Sequence, residues 1–412
     1  MKHTWRAPLE RSIEEHYIQR PDEWYQTTVS PSGLLDITII SEHWNQLSFA
    51  ERKEQIHHLL QTLSVPLPTC FLSLHTPEEA VTLESTRPLE ATSPKALYSW
   101  FDLAVYAADA TETTPKPQRE LRTPSTTVFY SFKGGIGKTV SLAHAATLLA
   151  RRGRKVVVVD LDIESPGLSS ALNIIPPPHG LVDFFYERFY MPDETEFTIF
   201  IEEIFSEVSL ANALGRLFVV PAGNLDFGYL AKIDDLRTHI TTRHGEDLWS
   251  TFHREITAHL QPDIILVDSR AGLNEWAAFS LLGVADKAIA FLYPDEQNFQ
   301  GMRFLTEALA GILPMDFVFS RVPTTSHKEM AIVKQQWNIL RSEEENIDVI
   351  KSSTEKVLNN NFDVTVENAT DRAANGPIVI PHLANLALAN TYPIEELLPY
   401  YTPIANIIDE DI

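Results

Sequence analysis

A single cysteine, Cys70, stands among 412 residues. It cannot form an internal disulfide, a zinc site built on several thiolates is excluded, and the usage fits a reducing cytoplasm. Positive charge is scarce as well. Against 56 Asp and Glu there are only 33 Lys and Arg, a formal net charge of -23, with no long Lys/Arg run. Such a chain repels nucleic-acid backbones and anionic lipid. Long apolar runs are missing too: residues 277–285, among the most apolar, fall far short of the roughly 18 that a membrane-spanning helix needs. Residues 1–17 interrupt their apolar positions with charges, unlike a secretory signal. No internal repeat and no heptad pattern occurs. The expectation is a cytoplasmic protein that uses neither DNA nor membrane as its partner.

What is present is ordinary for a folded chain, 44% hydrophobic and 22% charged, and the length exceeds what one core usually organises. The stretch ADATETTPKPQRELRTPS at 108–125 is rich in Thr and Pro without periodicity, and reads as a linker. The expected division is a small α+β domain over 1–108, a linker over 109–125 and a larger domain over 126–412. In the larger domain, β-branched and apolar runs at 126–132, 155–160, 217–220, 263–268, 287–293 and 316–319 alternate with helical patterns. That alternation predicts an α/β fold, a doubly wound, mostly parallel sheet with helices on both faces. The run Val156-Val157-Val158-Val159 suits a strand buried on both sides.

A helix is expected over 138–152, with Leu142, Ala146 and Leu149 on one face and the stop Arg151-Arg152-Gly153. The aromatic stretch 181–205 reads as core packing. The polar stretch 343–375 reads as an insertion.

The chemistry sits where the first of these strands runs directly into Phe132-Lys133-Gly134-Gly135-Ile136-Gly137-Lys138-Thr139 and then a helix. Glycines let the backbone wrap closely, and a helix N-terminus turns N–H groups toward a polyphosphate. The common pattern G-x-x-x-x-G-K-[ST] would put glycine at Phe132. A lysine at Lys133 instead makes this the deviant Walker A motif, and here the sequence resembles the MinD/ParA group of P-loop ATPases.

The resemblance implies ATP and Mg²⁺ as ligands, with the loop from Lys133 through Val140 around the phosphates. Lys138 would hold β/γ-phosphate oxygens, Thr139 would ligate Mg²⁺, and Lys133 would reach across a homodimer interface to the partner's nucleotide. In VVVVDLDIESPGL, similar to the family's first switch, Asp162 would position the attacking water and Asp160 would support the Mg²⁺ shell. In IILVDSRAG, Asp268 would hold a Mg²⁺-bound water and the Gly272 backbone would sense the γ-phosphate. Arg270 stands where the family often has Pro, and could touch phosphate or pair with a carboxylate. Pro294, in FLYPDEQNFQG, marks the loop near the adenine or the dimer interface. Ser320 occupies the place of an Asn that reads adenine in many relatives.

The set FYSFKGG, D-x-D-x-E-x-P-G-L, VVPAG, DSRAG and IVIPHLANLALAN is similar to a bacterial subset of ParA-like ATPases associated with conflict or defence. Many of its members carry Arg at the position of Lys138. Residues 34–80 read as strand, helix, strand and resemble a BolA-like domain, with Cys70 where relatives carry a histidine that can help bind an iron–sulfur centre, and His75 nearby. Two ligands make no complete site, and a structural pair is the simpler reading.

The expected function is an ATP-switched homodimer that signals to a protein partner. The alternatives are a positioning ATPase acting on DNA or membrane cargo, and a small-molecule kinase or ligase on the same scaffold.

Overall fold

A computed structural model describes residues 5–29, 35–63, 70–82, 97–109, 122–191, 197–237, 240, 243–323, 327–345, 376–383 and 392–410. They divide into two compact units, Met1–Lys95 with Trp100–Pro115, and Ala96–Ser99 with Lys116–Ile412. Most of the stretch read as a linker, and the polar stretch from 346 onward to 375, lie outside the described residues. No helix among the described residues is long and apolar enough to cross a membrane.

The first unit runs α1 (Arg6–Tyr17), β1 (Trp24–Val29), β2 (Leu35–Ile40), α2 (Phe49–Thr62), β3 (Cys70–His75), α3 (Pro77–Thr82) and α4 (Trp100–Asp109). Its sheet has the order β1-β2-β3. β2 and β3 are parallel, from Leu35 opposite Cys70 to Ile40 opposite His75, so α2 is the crossover between them. α2 begins at a capping box of Ser48 and Glu51, which satisfies otherwise orphaned N–H groups of its first turn. Ile56 and Leu60, one helical turn apart, pack with Leu9, Ile13, Ile37 and Ile39. The strand–helix–strand reading of 34–80 is observed, whereas α1 and β1 were not anticipated. Cys70 pairs through its backbone and its side chain lies outside the described residues; His75 lies against Glu79.

The second unit runs β4 (Thr126–Ser131), α5 (Lys138–Arg151), β5 (Lys155–Leu161), α6 (Leu168–Ala171), α7 (Leu181–Tyr190), β6 (Ser206–Glu207), β7 (Arg216–Val220), α8 (Phe227–Arg237), α9 (Arg243–Leu260), β8 (Ile264–Ser269), α10 (Glu275–Ala278), β9 (Lys287–Leu292), α11 (Glu296–Leu309), β10 (Met315–Val322), α12 (His327–Glu345), β11 (Ile378–Pro381) and α13 (Leu398–Asp409). The eight strands lie in the order β11-β10-β9-β4-β8-β5-β7-β6, and only the edge pair β6–β7 is antiparallel. All six expected strands are there, with shifted ends. β6 and β11, which the reading did not include, complete the two edges. Val156 to Val159 are fully buried, as a strand covered on both faces requires. In the aromatic stretch, Phe184 and Phe185 belong to the core, while Tyr190 and Phe200 are exposed. The Arg188 guanidinium lies between the Phe184 and Phe197 rings, 4.3 and 3.7 Å from their centroids.

α5 and α13 pack on the same side through His144, which is fully buried. Its Nδ1 donates to the Val140 carbonyl at 2.7 Å, and its Nε2 accepts from the Ile394 N–H at 3.1 Å. The two bonds require the neutral imidazole. The ring also stacks on Tyr401, centroids 4.2 Å apart. Burial holds the His144 pKa down to about 4, below the roughly 6.5 of an unfolded chain. Below pH 6.5 the unfolded state takes a proton that the folded state refuses, so stability is lost from pH 6.5 down to about 4. That pair of values corresponds to a loss of about 3 kcal/mol. Melting temperature measured from pH 7 to pH 4 should fall in this window, and His144→Phe should flatten the fall. An equally steep fall in the variant assigns the acid lability to another group.

Candidate functional site

β4 sits between β9 and β8 in the middle of the sheet, and the chain leaves its carboxyl end as the glycine loop 132–137. Gly135 and Gly137 adopt φ of 75° and 94°, the left-handed region that side chains resist, so the loop turns back into the N-terminus of α5. Phe132, where the common loop has glycine, packs its ring on α11. A Cβ at Gly301 would lie 2.4 Å from that ring. The departure at Phe132 is therefore matched by a glycine 169 positions later, which no local pattern signals. Ile136 is buried; Lys133, Gly134 and Gly135 are exposed and Val140 is half-buried. Lys133 makes no ion pair among the described residues.

Lys138, only 7% exposed, places Nζ 3.0 Å from Asp268 Oδ1 and 3.9 Å from Asp162 Oδ2. The Thr139 hydroxyl donates to the other Asp268 oxygen. Asp268 is thus held by both loop residues from which the phosphate chemistry is expected. Sheet register brings in the next carboxylate, because Asp160 on β5 lies directly opposite Asp268 on β8. Burial, and then Asp268, push the Asp160 carboxyl up to about 7, against the pull of N–H groups from Leu168 and Gly167. Asp160 accepts from the Asp162, Gly167 and Leu168 N–H groups at 3.2, 2.9 and 3.0 Å. It organises the loop that follows β5, which is the arrangement's own use for the residue expected behind the Mg²⁺ shell.

Asp162 begins that loop. Burial raises its pKa, opposed by Lys138 and by a hydrogen bond from Arg270. Arg270 pairs with two carboxylates of this loop: its Nη1 lies 3.1 Å from Asp162 Oδ1 and its Nη2 2.9 Å from Glu164 Oε2. Gly272, at φ 85°, donates its N–H to the Ser131 carbonyl at 3.0 Å, and its own carbonyl accepts from the Tyr130 hydroxyl. Sensing a γ-phosphate through that N–H requires the Ser131 bond to open. Pro294 is half-buried in the turn between β9 and α11, one residue before the helix cap Asp295.

The structure thus gathers Lys138, Thr139, Asp160, Asp162 and Asp268, holds Gly272 on the β4 end, and leaves Lys133 at the surface. Ser320 is buried, its Oγ 3.4 Å from where a Cβ of Gly137 would stand, so it packs beneath the loop. Arg321, unforeseen, takes a left-handed φ of 60° and donates Nη1 to the Gly135 carbonyl at 2.8 Å. Tyr229 was also missed: its hydroxyl donates to the Ile163 carbonyl at 2.6 Å.

No group of three or more His, Cys, Asp or Glu among the described residues is arranged to hold a metal by itself. Mg²⁺ does not need one, since it commonly takes one or two carboxylates and completes its octahedron with waters and substrate phosphates. The hydroxyl of Thr139 bonded to a carboxylate of Asp268, both hard oxygen donors, fits such a site.

The CobQ/CobB/MinD/ParA nucleotide binding domain matches residues 127–360. An uncharacterized ATP-binding protein of Methanocaldococcus jannaschii is 25% identical over 194 residues, 47% of this chain and 62% of its own. The septum site-determining protein MinD of Buchnera aphidicola is 29% identical over 174 residues, 41% of this chain and 52% of its own. The chain thus spans less than two thirds of either relative. Among solved structures, the cell division ATPase MinD of Pyrococcus furiosus aligns over 70% of this chain and 99% of its own, with 18% identity and a TM-score of 0.47. With more than half its length matched by that domain, and the phosphate loop at the head of the match, the chain belongs to the CobQ/CobB/MinD/ParA nucleotide-binding family.

Proposed function

We propose that the protein binds ATP with Mg²⁺ at the loop Lys133–Val140, hydrolyses it, and uses it to switch a homodimer that signals to a protein partner. The observation that carries this reading is the buried Lys138 ammonium set between Asp268 and Asp162 at the N-terminus of α5. Phosphoryl transfer asks a protein mainly for positioning and charge. Loop N–H groups and Lys138 receive the phosphates, and Asp162 orients a water. The water oxygen bonds to the γ-phosphorus, the bond to the β–γ bridging oxygen breaks, ADP leaves with its electron pair, and the water's proton goes to the released phosphate. Thr139 and Asp268, with Asp160 behind them, would hold Mg²⁺, whose chemistry there is to neutralise β- and γ-phosphate charge.

The exposed Lys133 is the residue we assign to the partner copy's nucleotide, and the N-terminal unit is assigned to recognition of the effector protein. The motif set similar to conflict-associated relatives supports a defence setting. Size-exclusion chromatography with light scattering, with and without ATP and Mg²⁺, should show a monomer converting to a dimer with phosphate released over time. A monomer in all nucleotide states removes the switch.

The net charge of -23 supports a protein partner over DNA. Fluorescence anisotropy on duplex DNA at physiological salt should show no binding with or without ATP. Micromolar, salt-sensitive binding that appears only with ATP would put cargo positioning first.

A further inference from the structure

Arg270 joins two segments that the nucleotide site needs in register. It follows β8, in the turn that Gly272 anchors to β4 through the Ser131 carbonyl. The polar contacts of its side chain among the described residues all go to the loop after β5: Asp162 Oδ1 at 3.1 Å, Ser165 Oγ at 2.7 Å and Glu164 Oε2 at 2.9 Å. Two other tethers of this loop, besides Lys138, hold its backbone. Asp160 accepts the Asp162, Gly167 and Leu168 N–H groups, and Tyr229 donates to the Ile163 carbonyl. Arg270 alone among these three grips the Asp162 carboxylate.

That carboxylate has its second oxygen turned to Lys138, 3.9 Å away. Once Lys138 is engaged by phosphate oxygens, Asp162 keeps Arg270 as its cation. A planar guanidinium serving one carboxylate with one nitrogen and a second with the other fixes orientation as well as charge, which a lysine's point charge cannot do.

We propose that Arg270 is a positioning residue for hydrolysis: its two-armed contact to Asp162 and Glu164 aims the Asp162 carboxylate, and it takes no part in holding nucleotide. This rests on the ATPase reading above. The test compares full-length wild type, Arg270→Ala and Arg270→Lys for steady-state ATP hydrolysis and for affinity toward a fluorescent ATP analogue, with unliganded melting temperatures alongside.

Both variants should bind the analogue within about twofold of wild type. The turnover of Arg270→Ala should fall on the order of 10- to 100-fold, the scale of a misplaced reacting group, with Arg270→Lys between it and wild type. A parallel loss of affinity overturns the proposal, because Arg270 then belongs to nucleotide binding. Wild-type turnover in Arg270→Lys, which keeps the charge and discards the fork, overturns it as well, and decides the matter should Arg270→Ala fail to fold. Absence of hydrolysis in the wild type would instead remove the ATPase reading and this inference with it.

Discussion

Lys138→Ala should remove the rise in melting temperature that ATP with Mg²⁺ is expected to produce in the wild-type protein. A ligand that binds only the native state stabilises it by mass action, about 2.7 kcal/mol at one hundred times Kd. For a unit of this size that is a shift of several degrees, at roughly 2–4 °C per kcal/mol. Lys138 is buried with its ammonium on Asp268 and near Asp162, so the variant loses the cation that β/γ-phosphates would meet. It also leaves Asp268 without its buried partner. Breaking such a pair from one side costs about 3 kcal/mol or more, so the unliganded variant should melt below the unliganded wild type. Differential scanning fluorimetry with and without millimolar ATP and Mg²⁺ reads both effects at once. An unchanged wild-type midpoint would show that the loop is not a nucleotide site. A shift retained in Lys138→Ala would show that the site lies elsewhere.

Lys133→Ala and Asp162→Ala should fail in opposite ways. Lys133 is exposed at the loop while Lys138 is buried within it, so the first variant keeps the phosphate contacts and loses only the cation assigned to the partner's nucleotide. It should bind ATP, stay monomeric, and hydrolyse at least tenfold more slowly, if a single charged donor contributes on the scale known for oxyanion contacts. Asp162→Ala keeps both lysines and loses the carboxylate that Arg270 and Lys138 flank. Water is no longer oriented, and ATP should accumulate in a long-lived dimer. Light scattering on both variants with and without ATP, paired with phosphate release, separates the outcomes. Two monomers, or two nucleotide-independent dimers, would mean that ATP does not control assembly.

The strands that frame the site are legible because sheet burial on both faces turns each into a run such as Val156 to Val159, and the fold class follows from their alternation with helices. The edges were not legible. β6 spans two residues, Ser206–Glu207, too few for any period, and β11 is a four-residue run ending in Pro381. In the first unit, α1 buries only Leu9, Ile13 and Tyr17, a sparse stripe in a charged helix.

The sequence by itself determined where the glycine loop lies and which carboxylates end strands beside it. Those properties depend on neighbours within a few residues: glycines able to take positive φ, a lysine and threonine opening a helix, an aspartate closing an apolar run. The tertiary structure alone decided which of these groups meet. Asp160 faces Asp268 only because β5 and β8 pair in that register. Phe132 fits only because Gly301 has no side chain. Arg270 reaches Asp162 across 108 positions, and Arg321 reaches Gly135 across 186. Contacts over such separations are set by strand order and register, and those are fixed by packing the whole core together, which no local window of residues records.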